Sequence, residues 1–322
     1  MRDLIRRLTP DPYIAAIFGM VALASLLPAR GGAAMVAGGA TAGAIGLLFF
    51  LYGARLSPAA VVQGITHWRL QALVMALTFV VFPLLGIAAA AAARPWIGAP
   101  LASGVLFLSL LPSTVQSSIA FTSIGRGNVA AALCSASVSN LFGVIATPLL
   151  VGLVMSGHGG FSLQALRDIC LQLLLPFALG QALRGRLGPW IAAHRRLTGY
   201  VDRGSILLVV YAAFSAGVVG GLWHQVSFGD LMRLLAIDAA LLAVLLGLST
   251  YASRALGFSK PDEIAIVFCG SKKSLASGLP MANILFAGQA VGLIVLPLML
   301  FHQIQLMVCA VLARRYGARL TE

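Results

Sequence analysis

The chain of 322 residues is 60% hydrophobic and 10% charged, with a formal net charge of +13. A soluble domain carries about 25% charged residues, so nothing here is polar enough for a separate soluble domain, and the longest polar-rich run, Arg184–Gly204, is one loop's worth. The positive charge does not signal nucleic acid, because Lys and Arg sit at the ends of apolar runs, as loop charge does on the cytoplasmic side of a membrane protein.

A spanning helix needs about 20 mostly apolar residues. Ten segments qualify, at roughly 12–28, 34–54, 68–93, 98–124, 128–155, 163–183, 204–222, 229–255, 262–286 and 289–313. The first follows Arg2, Arg6 and Arg7 and so imitates a secretion signal, but the spans after it make it the first transmembrane helix. With ten spans, one side of the membrane receives only Arg30, Arg94, Arg167 and Arg233. The other receives every remaining Lys and Arg except Lys272 and Lys273, which lie within span nine. That asymmetry places both termini in the cytoplasm, as expected for a multi-pass protein of the plasma (inner) membrane. The polar segment Leu187–Asp202, with Trp190, His194, Arg195 and Arg196, reads as a cytoplasmic linker or interfacial helix. The organisation expected is 1–186 for the first five-helix repeat plus span six, 187–203 for the linker and 204–322 for the rest of the second repeat. All of it forms one membrane domain. Cys134, Cys170, Cys269 and Cys309 lie in apolar stretches without CxxC spacing, which argues against a disulfide framework or a zinc site.

Spans four and nine share a pattern. Span four holds Leu110-Leu111-Pro112-Ser113-Thr114-Val115-Gln116-Ser117-Ser118, and span nine holds Phe268-Cys269-Gly270-Ser271-Lys272-Lys273-Ser274-Leu275-Ala276. Each is an apolar run, a helix breaker, a Ser, a polar cluster and a second apolar run. Broken polar segments at corresponding places in two halves are the best sequence pointer to a transporter's binding site, because irregular backbone at membrane depth is tolerated only where it lines a cavity or is buried in protein. Pro112 removes a backbone donor and Gly270 is permissive, so Ser113 and Ser271 are expected as N-caps of the second half-helices. Such N-termini suit an anion, and the carbonyls ending the first half-helices suit a cation.

Charge at mid-membrane costs at least about 2.5–3.5 kcal/mol, so Lys272 and Lys273 cannot both face lipid; the sequence leaves open which one meets a wet cavity. Asp238 is the acidic residue well inside a span. It reads either as a charge partner of one lysine or as a shallow residue near the outer end of span eight. His302, Gln303 and Gln305 on span ten, and Ser135, Ser137, Ser139 and Asn140 on span five, each follow a broken span. His302, Gln303, Ser139 and Asn140 join the candidate site with Pro112, Ser113, Thr114, Gln116, Ser117, Ser118, Gly270, Ser271, Lys272, Lys273 and Ser274. Catalysis is not expected: Ser271 and Lys272 suggest a Ser–Lys pair, but adjacent helical residues do not face each other.

At these residues the chain resembles the bile acid:sodium symporter family, and more closely its SBF-like branch. The segments that carry the likeness are LTFVVFPLLG (77–86), LLPSTVQSS (110–118), GNVAAALCSASVSNLFGVIATPLL (127–150), FCGSKKSLASGLPMA (268–282) and LPLMLFHQIQLMVCAVLARR (296–315). The resemblance implies an all-α fold of ten transmembrane helices in two inverted five-helix repeats. Helices four and nine are discontinuous and cross at mid-membrane, and a panel subdomain moves against a core. It also implies transport of small organic anions such as bile acids or sulfated steroids, often with sodium. The family's sodium ligands fall here on Thr78, Ser117, Ser118, Ser139, Asn140, Phe268 and Lys272, so the hydroxyls are present, the carboxylate is missing and Lys stands where cation ligands are expected.

The function expected is therefore secondary active transport of a small organic anion by alternating access, with Lys272 or Lys273 in the place of a coupling cation. An ion/proton antiporter or efflux carrier of related architecture, and a non-transporting regulator of ion homeostasis, stay open. The partners expected are the organic anion and membrane lipids, without nucleic acid. No cofactor is expected beyond Na+ as an optional coupling ion, and the oligomeric state is left open.

Overall fold

The computed structural model describes residues 12–55, 67–155 and 170–319, and all regular structure among them is helical. Helix α1 spans Pro12–Leu26 and α2 spans Gly32–Arg55; α3, Trp68–Ala76, runs through one wider π turn, Leu77–Val81, into α4, Phe82–Ser109. Then come α5, Gln116–Ile124, and α6, Val129–Met155. A second π turn, Cys170–Leu174, opens α7, Leu175–Ala182, and is followed by α8, Arg184–Ala193, α9, Arg195–Val219, and the single turn α10, Leu222–Gln225. The remainder is α11, Phe228–Ala255, α12, Lys260–Gly270, α13, Leu275–Leu285, and α14, Val291–Arg319.

Among the described residues, six stretches are long and apolar enough to cross a membrane: Gly32–Arg55, Trp68–Ser109, Val129–Met155, Arg196–Val219, Phe228–Ala255 and Val291–Ala318. Large apolar side chains face outward along them, Leu153 at 80% exposure and Met307 at 64%, which in a bilayer is contact with lipid. The chain is a polytopic helical membrane protein. The Trp68–Ser109 run is 42 residues long, twice what a bilayer needs, and divides at Gly98. There φ is +78°, between Pro95 and Pro100, a backbone conformation that favours glycine. The division falls where spans three and four were separated by sequence.

The polar segment 187–203 is helical, bent at His194, and its second part belongs to α9. Span seven thus starts about nine residues before the expected Gly204. The reason is burial of polar groups: Thr198, Asp202 and Ser205 face inward, and Asp202 pairs with Arg55 at the end of α2.

Two sets of helices pack closely. In the first, α1, α2, α7 and α9 come together. The contact of α2 with α7 is reciprocal: a Cβ on Gly53 would collide with the Phe177 carbonyl, and one on Gly180 with the Phe50 carbonyl. Only glycine lets two membrane helices approach so closely. In the second set α3–α6 and α11–α14 pack, tied at one end by Glu263. That carboxylate accepts from Arg254 at 3.0 and 3.1 Å, Lys260 at 2.7 Å and the Tyr316 hydroxyl at 3.1 Å.

Candidate functional site

Two chain breaks meet in the second set of helices. The first, Leu110–Val115, separates α4 from α5; the second, Ser271–Ser274, separates α12 from α13. They touch directly, the Ser274 N–H donating to the Pro112 carbonyl at 2.9 Å. A helix end leaves backbone groups without intrahelical partners, and these must be met inside the membrane. Neighbouring helices do so here. The Ser113 N–H donates to Ser139 Oγ at 3.1 Å, the Asn140 amide donates to the Ser113 carbonyl at 3.3 Å, and Thr147 Oγ1 donates to the Leu110 carbonyl at 2.8 Å, all from α6. At the second break one side chain of α14 does both jobs. Gln305 Oε1 accepts from the Lys273 N–H at 2.9 Å, and its Nε2 donates to the Lys273 carbonyl at 3.0 Å. The breaks are joined again where Ser277 donates to Asn140 Oδ1 at 2.8 Å and Ser118 donates to the Phe268 carbonyl at 2.9 Å.

The helix starts differ from expectation. Neither Ser113 nor Ser271 is an N-cap. Helix α5 begins at Gln116 without a side-chain cap, and α13 is capped by Ser274, whose Oγ accepts from the Ser277 N–H. Ser271 instead turns back to the Val267 carbonyl at 2.6 Å and closes α12, a bond that serine makes readily to the preceding turn. Both lysines therefore lie in the break itself rather than on the second half-helix.

Lys272 and Lys273 are both 0% exposed but are held differently. The Lys273 ammonium donates to three carbonyls: Thr78 at 2.9 Å, Ser109 at 2.6 Å and Leu111 at 2.6 Å. Ser109 ends α4 and Leu111 lies in the first break just after it; the third, Thr78, is freed by the π turn, which shifts the helical bonding register. The Phe82 ring lies 4.3 Å away and Phe79 5.9 Å. Lys272 has one bond, 3.3 Å to Ser117 Oγ, and rests over the rings of Phe121 at 4.5 Å and Phe268 at 5.5 Å. Ser117 is linked to Thr114 at 2.7 Å, which also meets Ser118 at 3.2 Å.

The crossover thus gathers Thr78, Pro112, Ser113, Thr114, Ser117, Ser118, Ser139, Asn140, Ser271, Lys272, Lys273 and Ser274. Gly270 packs beneath Leu77, whose side chain a Cβ would strike. His302 reaches the cluster through Gln305, at 2.8 Å. Gln116 is exposed at the start of α5, and Gln303 Nε2 has no partner. Asp238 is not brought to the lysines: it is 0% exposed, and neither oxygen has a partner. Sequence reasoning noticed Gln305 but kept it out of the site. Its signal was a second amide on the face of His302, three residues on. The rings of Phe79, Phe82 and Phe121 gave no signal among so many apolar residues, and Phe268 was marked only as a position where the resemblance places a sodium ligand.

A cavity of about 300 Å³ opens between the two helix sets. It is lined by Thr41 of α2, Gln172, Ser215 of α9, and Asn283 and Ile284 of α13, among others. The hydroxyls of Thr41 and Ser215 are buried without partners. None of the lysine-cluster residues lines it; Asn283 lies about 13 Å along α13 from the second break.

Two discontinuous membrane helices whose breaks meet in a polar cluster are the construction of a secondary transporter. The chain belongs to the SBF-like CPA transporter family, whose pattern it matches over residues 11–318. It is 57% identical over 315 residues to the uncharacterized protein PA2026 of Pseudomonas aeruginosa, covering 97% of this chain and 95% of that one. With the symporter-named protein YfeH of Escherichia coli identity is 53% over 307 residues, covering 95% and 92%. With sodium/bile acid cotransporter 7 of Xenopus tropicalis it is 27% over 324 residues, covering 96% and 92%. The protein is thus a membrane transporter by family, not an enzyme.

Proposed function

We propose that this protein is a secondary active carrier of a small organic anion, and that the Lys273 ammonium occupies the position of a coupling cation. The observation that carries this reading is the set of three carbonyls converging on Lys273 at 2.6–2.9 Å. A hard cation seeks such oxygen ligands, and a fixed ammonium supplies the charge without an ion to bind and release. Lys272, with one long bond and two ring faces, is the lysine left to meet an anion.

In this reading ten spans form two inverted repeats, with both termini in the cytoplasm and the chain in the inner membrane. Residues 1–186 and 204–322 carry the repeats on either side of the segment 187–203. The close-packed set α1, α2, α7 and α9 is the panel and the crossover set is the core. The matched bonding of the breaks supports the repeat, since Ser139 with Asn140 serve Ser113 as Gln305 serves Lys273. The seam between the sets, where the cavity opens, is where alternating access takes place. The names of the cotransporter 7 relatives support an organic acid as cargo. Sodium would have to displace an ammonium from its carbonyls, which favours sodium-independent transport.

Thermal stability of the purified protein, with a panel of bile acids, sulfated steroids and smaller organic acids in sodium or choline buffer, tests this. A ligand at 100 times its dissociation constant adds about 2.7 kcal/mol. Stabilisation by an anion equal in both buffers is expected. Stabilisation that requires sodium overturns the lysine-for-cation reading, and no stabilisation by any anion leaves the antiporter and regulator readings in its place.

A further inference from the structure

Asp238 is the buried titratable group that this scheme does not use. It lies about 16 Å along α11 from the Ser227 cap, at the depth of the membrane interior. Its side chain is 0% exposed and both carboxylate oxygens lack a hydrogen-bond partner among the described residues. Buried polar groups held for structure are normally bonded, and an ionised carboxylate here would be an uncompensated charge.

The charged and titratable groups of the helices packed against α11 lie elsewhere. On α4, Arg94 is exposed. On α12, Glu263 accepts from both Lys260 and Arg254, while Asp262 bonds Asn128 and Ser259. On α14, His302 is bonded to Gln305 and Tyr316 to Glu263, while Cys309 is buried as a free thiol and Arg314 and Arg315 form no ion pair among the described residues. On α11 itself, Asp230 pairs with Arg233 at 3.0 Å. Lys272 and Lys273 are taken by Ser117 and by the three carbonyls. The packing around Asp238 thus accommodates the neutral acid. Water is nearest at the Ser227 end, where Arg233 is half exposed. One turn separates it from Asp238, closed by buried Leu234; towards the other end Leu241, Leu242 and Leu245 are buried as well.

We propose that Asp238 is a proton-binding site. The carboxylate takes up one proton when the Ser227 end of α11 is hydrated, is carried as the neutral acid while occluded, and returns the proton when hydrated again. No other bond changes. This rests on the transport reading for its place in a cycle, but its test needs no substrate, so the two readings fail separately.

The probe is dicyclohexylcarbodiimide, an apolar reagent. A protonated carboxyl adds across it to give an O-acylisourea that rearranges to a stable N-acylurea, read by mass on the Asp238 peptide of the purified full chain. Labelling of Asp238 is expected to fall about tenfold or more as the pH is raised across the range in which the protein stays folded. Infrared difference titration of the same protein should show a carboxylic-acid band lost over that range, and Asp238→Asn should lack the band. Labelling or a band that does not change with pH overturns the proposal, because Asp238 would then be a permanently neutral acid. A titration indistinguishable between wild type and Asp238→Asn also overturns it. Should Asp238→Asn fail to fold, the pH dependence of wild-type labelling decides alone.

Discussion

Replacing Lys273 by alanine should turn a sodium-indifferent protein into a sodium-responsive one. The ammonium donates to the carbonyls of Thr78, Ser109 and Leu111 at 2.9, 2.6 and 2.6 Å, and all three residues are 0% exposed. Without it each carbonyl loses its donor, at about 1–3 kcal/mol per unsatisfied group, partly offset because no ammonium has to be held away from water. Alanine leaves the volume of the lysine stem and three oxygens facing one point, which is a site for a monovalent cation. If sodium binds there with a dissociation constant one tenth of its bath concentration, it restores about 1.4 kcal/mol. The assay is the unfolding midpoint of wild type and Lys273→Ala, each in sodium chloride and in choline chloride at equal ionic strength. The variant is expected to be destabilised in choline and partly recovered in sodium, with wild type unchanged. Lys272→Ala, which frees one hydroxyl and two ring faces, should show no recovery. A folded Lys273→Ala that ignores sodium would refute the reasoning, as would a wild type that gains as much from sodium as the variant does.

Other substitutions probe the remaining contacts. Gln305→Leu orphans the N–H and the C=O of Lys273 and should lower stability by about 2–4 kcal/mol, read as a drop in unfolding midpoint, whereas Gln305→Glu, which keeps the acceptor, should lose less. Gly53→Ala pushes a methyl group into the Phe177 carbonyl and should cost about 3 kcal/mol or more; a monodisperse, wild-type-like elution profile would contradict the close packing of α2 and α7. Ser274→Ala removes the N-cap of α13 and should cost about 1 kcal/mol, with Ser271→Ala, which removes only the back-bond to the Val267 carbonyl at the end of α12, serving as its comparison in the same melting assay.

Much of the architecture was legible because a bilayer imposes it. Long apolar runs bounded by Arg and Lys have few alternatives to spanning helices, and the breakers Pro112 and Gly270 sit where α4 gives way to α5 and where α12 ends. The sequence divided spans three and four at 93–98, and the structure places the kink of the 42-residue Trp68–Ser109 run at Gly98, the edge of that gap. The start of span seven was misjudged because hydropathy treats Thr198 and Asp202 as water-facing. Asp202 is paired in the fold with Arg55, 147 positions before it, and no local pattern carries that information.

The cluster at the crossover shows the same limit at finer scale. Which residues are polar and lie near a break is a local property, and it drew attention to Ser113, Ser271 and both lysines. How a break is satisfied is not local. Ser271 and Ser274 have the same side chain three positions apart, yet one closes α12 and the other opens α13, because the backbone between them is fixed from outside by Gln305 and the Pro112 carbonyl. Lys272 and Lys273 are likewise adjacent and chemically identical, so sequence offers nothing to tell them apart. An extended stretch sends neighbouring side chains to opposite sides, and here one side presents carbonyls at the end of α4 and the other presents Ser117, Phe121 and Phe268. Their difference is therefore a property of what the crossing spans offer on each side. For that reason exchanging the surroundings, by Ser117→Ala or by straightening the π turn at Thr78, should alter one lysine and leave the other in place. Chemical-shift or crosslinking probes at each ammonium would read the two independently, and a change shared equally by both would show that the break moves as one.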